Sequence, residues 1–86
     1  MATPITISAF SDSGWVKVYI NGDKVLHGSG TATIELDNGI HFLTYFVQGL
    51  PGDNYSVAIV DPPAELWAVK GNLKLNHTTG QHGITI

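Results

Sequence analysis

The chain reads as a single all-β domain, an antiparallel β-sandwich of seven to eight short strands spanning residues 1–86. Three observations predict it. Apolar and polar residues alternate with period two along most of the chain. Turn-forming pairs, above all Asn21-Gly22 and Asn38-Gly39, punctuate that alternation at short intervals. No long segment carries an apolar stripe at helical spacing.

Taken in order, Ile5-Thr6-Ile7-Ser8-Ala9 alternates as a half-buried strand should. After the turn-like Ser11-Asp12-Ser13-Gly14, residues Trp15 to Ile20 alternate again. Val16, Val18 and Ile20 point to the core; Trp15, Lys17 and Tyr19 point away. Asn21-Gly22 supplies the positive φ angles of a two-residue type I′ hairpin, and Lys24 to His27 is the returning strand, ending at Gly28-Ser29-Gly30. Thr31 to Asp37 is the cleanest strand, with Ala32, Ile34 and Leu36 inward. Asn38-Gly39 predicts a second hairpin, leading into Ile40 to Gln48. That strand is apolar on both sides, with Ile40, Phe42 and Phe46 on one and Leu43, Tyr45 and Val47 on the other. It is therefore either covered on both faces or presents one face to a partner.

Gly49 to Asn54 predicts a loop, and Tyr55 to Val60 a strand with Tyr55, Val57 and Ile59 on one face. Asp61-Pro62-Pro63 ends it, because proline cannot donate to a sheet ladder. Ala64 to Lys70 can be one helical turn or a strand, with Trp67 and Val69 favouring the strand. Gly71 breaks it and Asn72 to Asn76 resumes. His77 to Gly83 reads as a polar loop, and Ile84-Thr85-Ile86 as a short last strand.

Composition excludes several functions. Apolar residues make up 43% of the chain and charged residues 13%, against about a quarter charged in ordinary soluble domains. The surface must therefore rely on Thr, Ser, Asn and Gly, as extracellular modules and partner-covered subunits do. Four lysines, no arginine and a net charge of −3 argue against nucleic acid, whose binding needs clustered cations. With no cysteine, there is no disulfide, zinc thiolate or cysteine nucleophile. The segment "MATPITISAF" lacks the basic start and apolar run of a signal peptide, and no apolar stretch approaches a membrane helix of roughly 20 residues. The compartment stays open.

At "VYINGDKV" and "TIELDNGIHFLTYFVQG", covering Val18 to Gly22 and Ile34 to Gly49, the chain resembles the PEGA-type family of small bacterial β-sandwich domains. The shared pattern is a strand ending in an Asn/Asp-Gly turn, then a strand entering a turn before an apolar strand. The resemblance implies an immunoglobulin-like sandwich used as an adhesive or spacer module, with no catalytic residue to carry over.

Candidate chemistry is sparse. His27, His41, His77 and His82 carry no usual zinc spacing, so exposed or capping roles are expected and no metal site is assigned. Serines 8, 11, 13, 29 and 56 occupy strand edges and turns without a nucleophile elbow. Glu35 and Asp37 share a strand face about 7 Å apart, but a solvated outer face explains them equally. Asp12, Asp53 and Asp61 are too scattered for calcium. Asn54-Tyr55-Ser56 and Asn76-His77-Thr78 match the glycosylation sequon by chance. No catalytic residue and no cofactor are expected.

The aromatics remain. Trp15 and Tyr19, at i and i+4 of one strand, project from the same face with Lys17 between them. Three readings stay open: local packing, a protein or self interface, and stacking on a glycan. The leading expectation is a non-catalytic protein-interaction or assembly module using Trp15, Lys17, Tyr19, Tyr45 and Trp67. The alternative is a small carbohydrate-binding module in which Trp15, Tyr19 or Trp67 forms a coplanar platform. Edge strands at the two chain termini, poor in charge, add a possible pairing edge.

Overall fold

The computed structural model describes residues 2–86. Among these residues eight strands form: β1 (Thr3–Ser11), β2 (Trp15–Ile20), β3 (Asp23–His27), β4 (Gly30–Leu36), β5 (Ile40–Gln48), β6 (Asn54–Asp61), β7 (Trp67–Asn72) and β8 (His77–Thr85). A single 3₁₀ turn at Pro63–Glu65 precedes β7, so Ala64 to Lys70 contains both a turn and a strand. All pairings are antiparallel, in two four-stranded sheets ordered β4-β1-β6-β7 and β3-β2-β5-β8. The expected all-β sandwich is what forms. Its first two strands lie in opposite sheets, whereas an immunoglobulin domain keeps its first two in one.

The β2–β5 pairing is nested inside the β1–β6 pairing. The chain thus runs as one long antiparallel ribbon, β1 then β2 against β5 then β6, folded over on itself. Both arms must change sheet at the same level. Ser11–Gly14 turns one arm and Gly49–Asp53 turns the other, and the two corners lie side by side. Backbone Asp12 N donates to Asn54 O at 3.0 Å, and Asn54 N donates to the Asp12 carboxylate at 2.7 Å. Asp53 holds the second corner by accepting from Leu50 N at 2.9 Å.

The core is the set of inward positions that alternation assigns. Ile5, Ile7, Val57 and Ile59 come from one sheet; Val16, Val18, Leu43, Val47 and Ile84 come from the other. Each is sealed from solvent, a gain of about 1.5–3 kcal/mol per side chain over exposure. Val16, Val18, Ile20 and Leu36 are buried as expected, and Ile34 is half-buried against them.

Four expectations are corrected. Asn38-Gly39 is not a hairpin, because β4 and β5 belong to different sheets. Gly39 instead exchanges hydrogen bonds with Ile86, at 3.1 and 2.9 Å, and extends the β5–β8 ladder. His77 to Gly83 is not a loop. It forms most of β8, paired with β5 from Gln48↔His77 to Ile40↔Thr85. Gly71 does not break β7 but sits within it, opposite Tyr55, and Asn72 ends that strand. Lastly, the N-terminal strand β1 is central, with β4 and β6 on either side, so of the first and last strands β8 alone lies at a sheet edge.

Two of these share a cause. Gly71 and Gly80 each face a tyrosine across the ladder, Tyr55 and Tyr45. The phenol ring lies over the glycine, fills the space a side chain would take, and lets a poor strand former sit mid-strand. Gly80 is the tighter case. A Cβ there would lie 2.5 Å from Tyr45 Cζ and 2.8 Å from Cε1, inside van der Waals contact.

Candidate functional site

The outer face of the β3-β2-β5-β8 sheet carries the apolar residues that the core leaves over. Strand β2 contributes Trp15, Lys17 and Tyr19; β5 contributes Ile40, Phe42 and Phe46. Register places Lys17 beside Phe46, and Tyr19 beside Thr44. Phe42, Phe46 and Trp15 are 54%, 41% and 37% exposed. Tyr19 meets Phe46 edge to face, with centroids 5.7 Å apart and planes at 89°. Lys17 Nζ lies 4.7 Å from the Trp15 ring centroid, a cation–π contact. The partner of Phe42 across the ladder is Gly83, which has no side chain to shield the ring.

The five expected site residues therefore divide. Trp15, Lys17 and Tyr19 share this outer face, as alternation required. Tyr45 is on the other side of its strand and only 8% exposed. Burial, with the Tyr55 phenol adding to it, pushes its hydroxyl pKa upward. Phe46 takes the place on the face that Tyr45 was expected to hold. Trp67 points inward from the edge strand β7 and stacks on His82 of the other sheet's edge strand β8, 4.5 Å apart at 13°. Together they close one flank of the sandwich, with the Tyr45 ring 6.2 Å from Trp67. Trp67, packed on His82, is not on the face that carries Trp15 and Tyr19 and joins no platform with them.

Sequence reasoning placed Phe42 and Phe46 together on one side of β5 but did not select them. The signal was present, since Phe46 pairs with Lys17 once β2 and β5 are in register, yet nothing local said which side of β5 faces in.

Trp15 has a further setting. It follows the first corner directly, and its backbone N–H donates to Ser13 Oγ at 3.1 Å. Ser13 Oγ in turn donates to Gln48 O and is joined to Ser11 Oγ at 2.8 Å. This hydroxyl chain ties the corner to the end of β5 and stands the indole at the rim of the sandwich. A shallow trough flanks it on each side, of about 530 and 330 Å³. Both are lined by Trp15, Gln48 and Asn76. The first adds Ser13, Asp12 and Asp53; the second adds Phe46, His77 and Thr79.

Several titratable groups have structural partners. Asp12 and Asp53 cap the corners as described. His41 lies in a tight network: Asn21 Nδ2 donates to His41 Nδ1 at 2.8 Å, His41 Nε2 donates to Asp37 O at 2.7 Å, and Phe42 N donates to Asn21 Oδ1 at 3.0 Å. His77 Nδ1 donates to Asn76 Oδ1 at 2.9 Å, and His27 Nδ1 lies 3.3 Å from Lys24 Nζ. Among the described residues no three His, Asp or Glu side chains come together as metal ligands, and no helix is long and apolar enough to cross a membrane. No family model matches the chain, and neither a curated protein nor a solved structure is similar to it.

Proposed function

We propose that this protein is a non-catalytic assembly module that pairs with a second copy of itself through the outer face of the β3-β2-β5-β8 sheet. The observation that carries this reading is the exposure of Phe42, Phe46 and Trp15 together on one sheet face, with the Tyr19 ring packed edge to face on Phe46. Scattered surface apolar residues need no explanation, but a contiguous aromatic face is the usual mark of an interaction surface. Aromatic rings also bring much buried area for little lost side-chain freedom.

Dimensions support the same reading. Four strands about 4.8 Å apart and about seven residues long give a flat footprint of roughly 450 Å² per copy. A textured surface exposes more than its footprint, so two copies reach the roughly 1,000 Å² that a specific interface needs. Two such faces stack with their strands about 30° from parallel, as the sheets of a sandwich do. The low charge of the chain keeps repulsion between copies small.

Sedimentation equilibrium over a wide concentration range tests the proposal. The wild-type chain is expected to associate, and Phe42→Glu or Phe46→Glu to return it to monomer with an unchanged far-UV spectrum. A wild type that stays monomeric at millimolar concentration would overturn it.

A further inference from the structure

We infer that the rim around Trp15 is a binding groove for a neutral saccharide chain, a site that shares Trp15 and Phe46 with the pairing face proposed above but extends past its edge onto the two corners. The groove consists of the two troughs that flank the indole, of about 530 and 330 Å³, and that share Gln48 and Asn76. Each is within the size range of ligand sites, roughly 300–1,000 Å³. A ligand filling both would pass around the tryptophan, which selects an extended chain of at least two units over a single small molecule.

The lining selects the chemistry. Trp15, Phe46, Val47 and Leu50 make most of its surface apolar, and amide, hydroxyl, carboxylate and imidazole groups are set among them. The Gln48 side-chain amide makes no hydrogen bond among the described residues, and Asn76 uses only its oxygen, on His77. Asp12 and Asp53 each accept a backbone N–H through one carboxylate oxygen and keep the other for a ligand. Acceptors and donors spaced along a trough with an aromatic wall match vicinal hydroxyls beside an apolar C–H face.

Charge narrows the choice. Two carboxylates and no cation in the first trough repel an anionic ligand. They would attract a cation, but Lys17 Nζ, 4.7 Å from the Trp15 centroid, already occupies the aromatic contact such a ligand would use and opposes a second positive charge there. A hydroxyl-rich neutral ligand is what the groove accepts. This site is a groove at the sandwich rim built around Trp15 alone, whereas the alternative reading of the sequence had Trp15, Tyr19 or Trp67 forming a coplanar platform.

Proton–nitrogen NMR titration with neutral gluco-, manno-, galacto- and xylo-oligosaccharides, up to about 10 mM so that millimolar binding is still read, is the test. At least one series is expected to shift the Trp15 indole N–H while leaving that of Trp67, packed on His82, in place. Trp15→Ala is expected to weaken binding at least tenfold, and Asn76→Ala or Gln48→Ala about fivefold each. Trp15→Phe, which keeps an aromatic wall, should fall between if the larger change disturbs folding. Phe42→Glu should abolish self-pairing and leave the sugar shifts intact, so the two proposals fail separately. Silence across all four series overturns the inference, as does binding that survives in Trp15→Ala. A stronger response to a quaternary ammonium ion would overturn it in favour of a cation site.

Discussion

Replacing Gly80 with alanine puts a methyl group where the Tyr45 ring lies, and the outcome separates a tyrosine-covered glycine from an ordinary strand glycine. The new Cβ would sit 2.5 Å from Tyr45 Cζ and 2.8 Å from Cε1. Tyr45 has little room to withdraw, being 8% exposed and backed by Trp67. Forcing a methyl into a filled site costs about 1–3 kcal/mol. The entropy lost from the unfolded chain when glycine becomes alanine returns about 0.4–1 kcal/mol. The net loss is about 1.5 kcal/mol, or a fall of about 6–12 °C in Tm for a domain this size. Gly71 is the internal control. Its Cβ would meet Tyr55 at 3.4–3.7 Å, near ordinary contact, so Gly71→Ala should raise stability by about 0.4–1 kcal/mol. Urea unfolding followed by tryptophan fluorescence measures both. In a Tyr45→Ala background the penalty at Gly80 should vanish, since the clashing ring is gone. Equal effects at the two glycines, or a Gly80→Ala protein as stable as wild type, would refute the reasoning.

Two further predictions concern the tight turn and the buried phenol. Asn21 has φ of 52° and its side chain holds both His41 and Phe42. Asn21→Gly keeps the backbone geometry and loses those bonds, at about 1 kcal/mol, while Asn21→Ala adds about 1 kcal/mol of left-handed strain. Thermal unfolding of the pair should rank them in that order. The raised Tyr45 pKa makes stability depend on alkaline pH. The buried phenol favours its neutral form, so its contribution is complete below the unfolded value near 10 and is lost as pH rises through the higher folded value. Denaturation curves above about pH 10 should weaken faster for wild type than for Tyr45→Phe, which has no proton to lose.

The amount legible in the sequence follows the range of the interaction involved. Period-two alternation assigned Val16, Val18 and Ile20 to the core and Trp15, Lys17 and Tyr19 to the outside, because side chains of a strand alternate whatever it pairs with. Asn21-Gly22 was readable as a type I′ turn, and both residues have the positive φ it needs. Asn38-Gly39 looks the same locally but joins two sheets, since its partner is Ile86 at the far end of the chain.

The aromatic strand shows the boundary most clearly. With Ile40, Phe42 and Phe46 on one side and Leu43, Tyr45 and Val47 on the other, β5 offers two apolar faces of similar quality, and neither local propensity nor pattern chooses between them. The choice is made by the pairing with β2 and β8, which brings Gly80 under the Tyr45 ring on the inside and Gly83 opposite Phe42 on the outside. The same long-range pairing turns the His77 to Gly83 segment into a strand and directs Trp67 onto His82. It also folds the nested ribbon so that Ser11–Gly14 and Gly49–Asp53 form one rim around Trp15. By itself the sequence determined an all-β chain with Trp15 and Tyr19 turned outward, because those follow from each strand's own geometry. Which residues surround them was decided by the tertiary structure alone, because their neighbours on β5 and β8 are distant in sequence and meet them only when the sheets close.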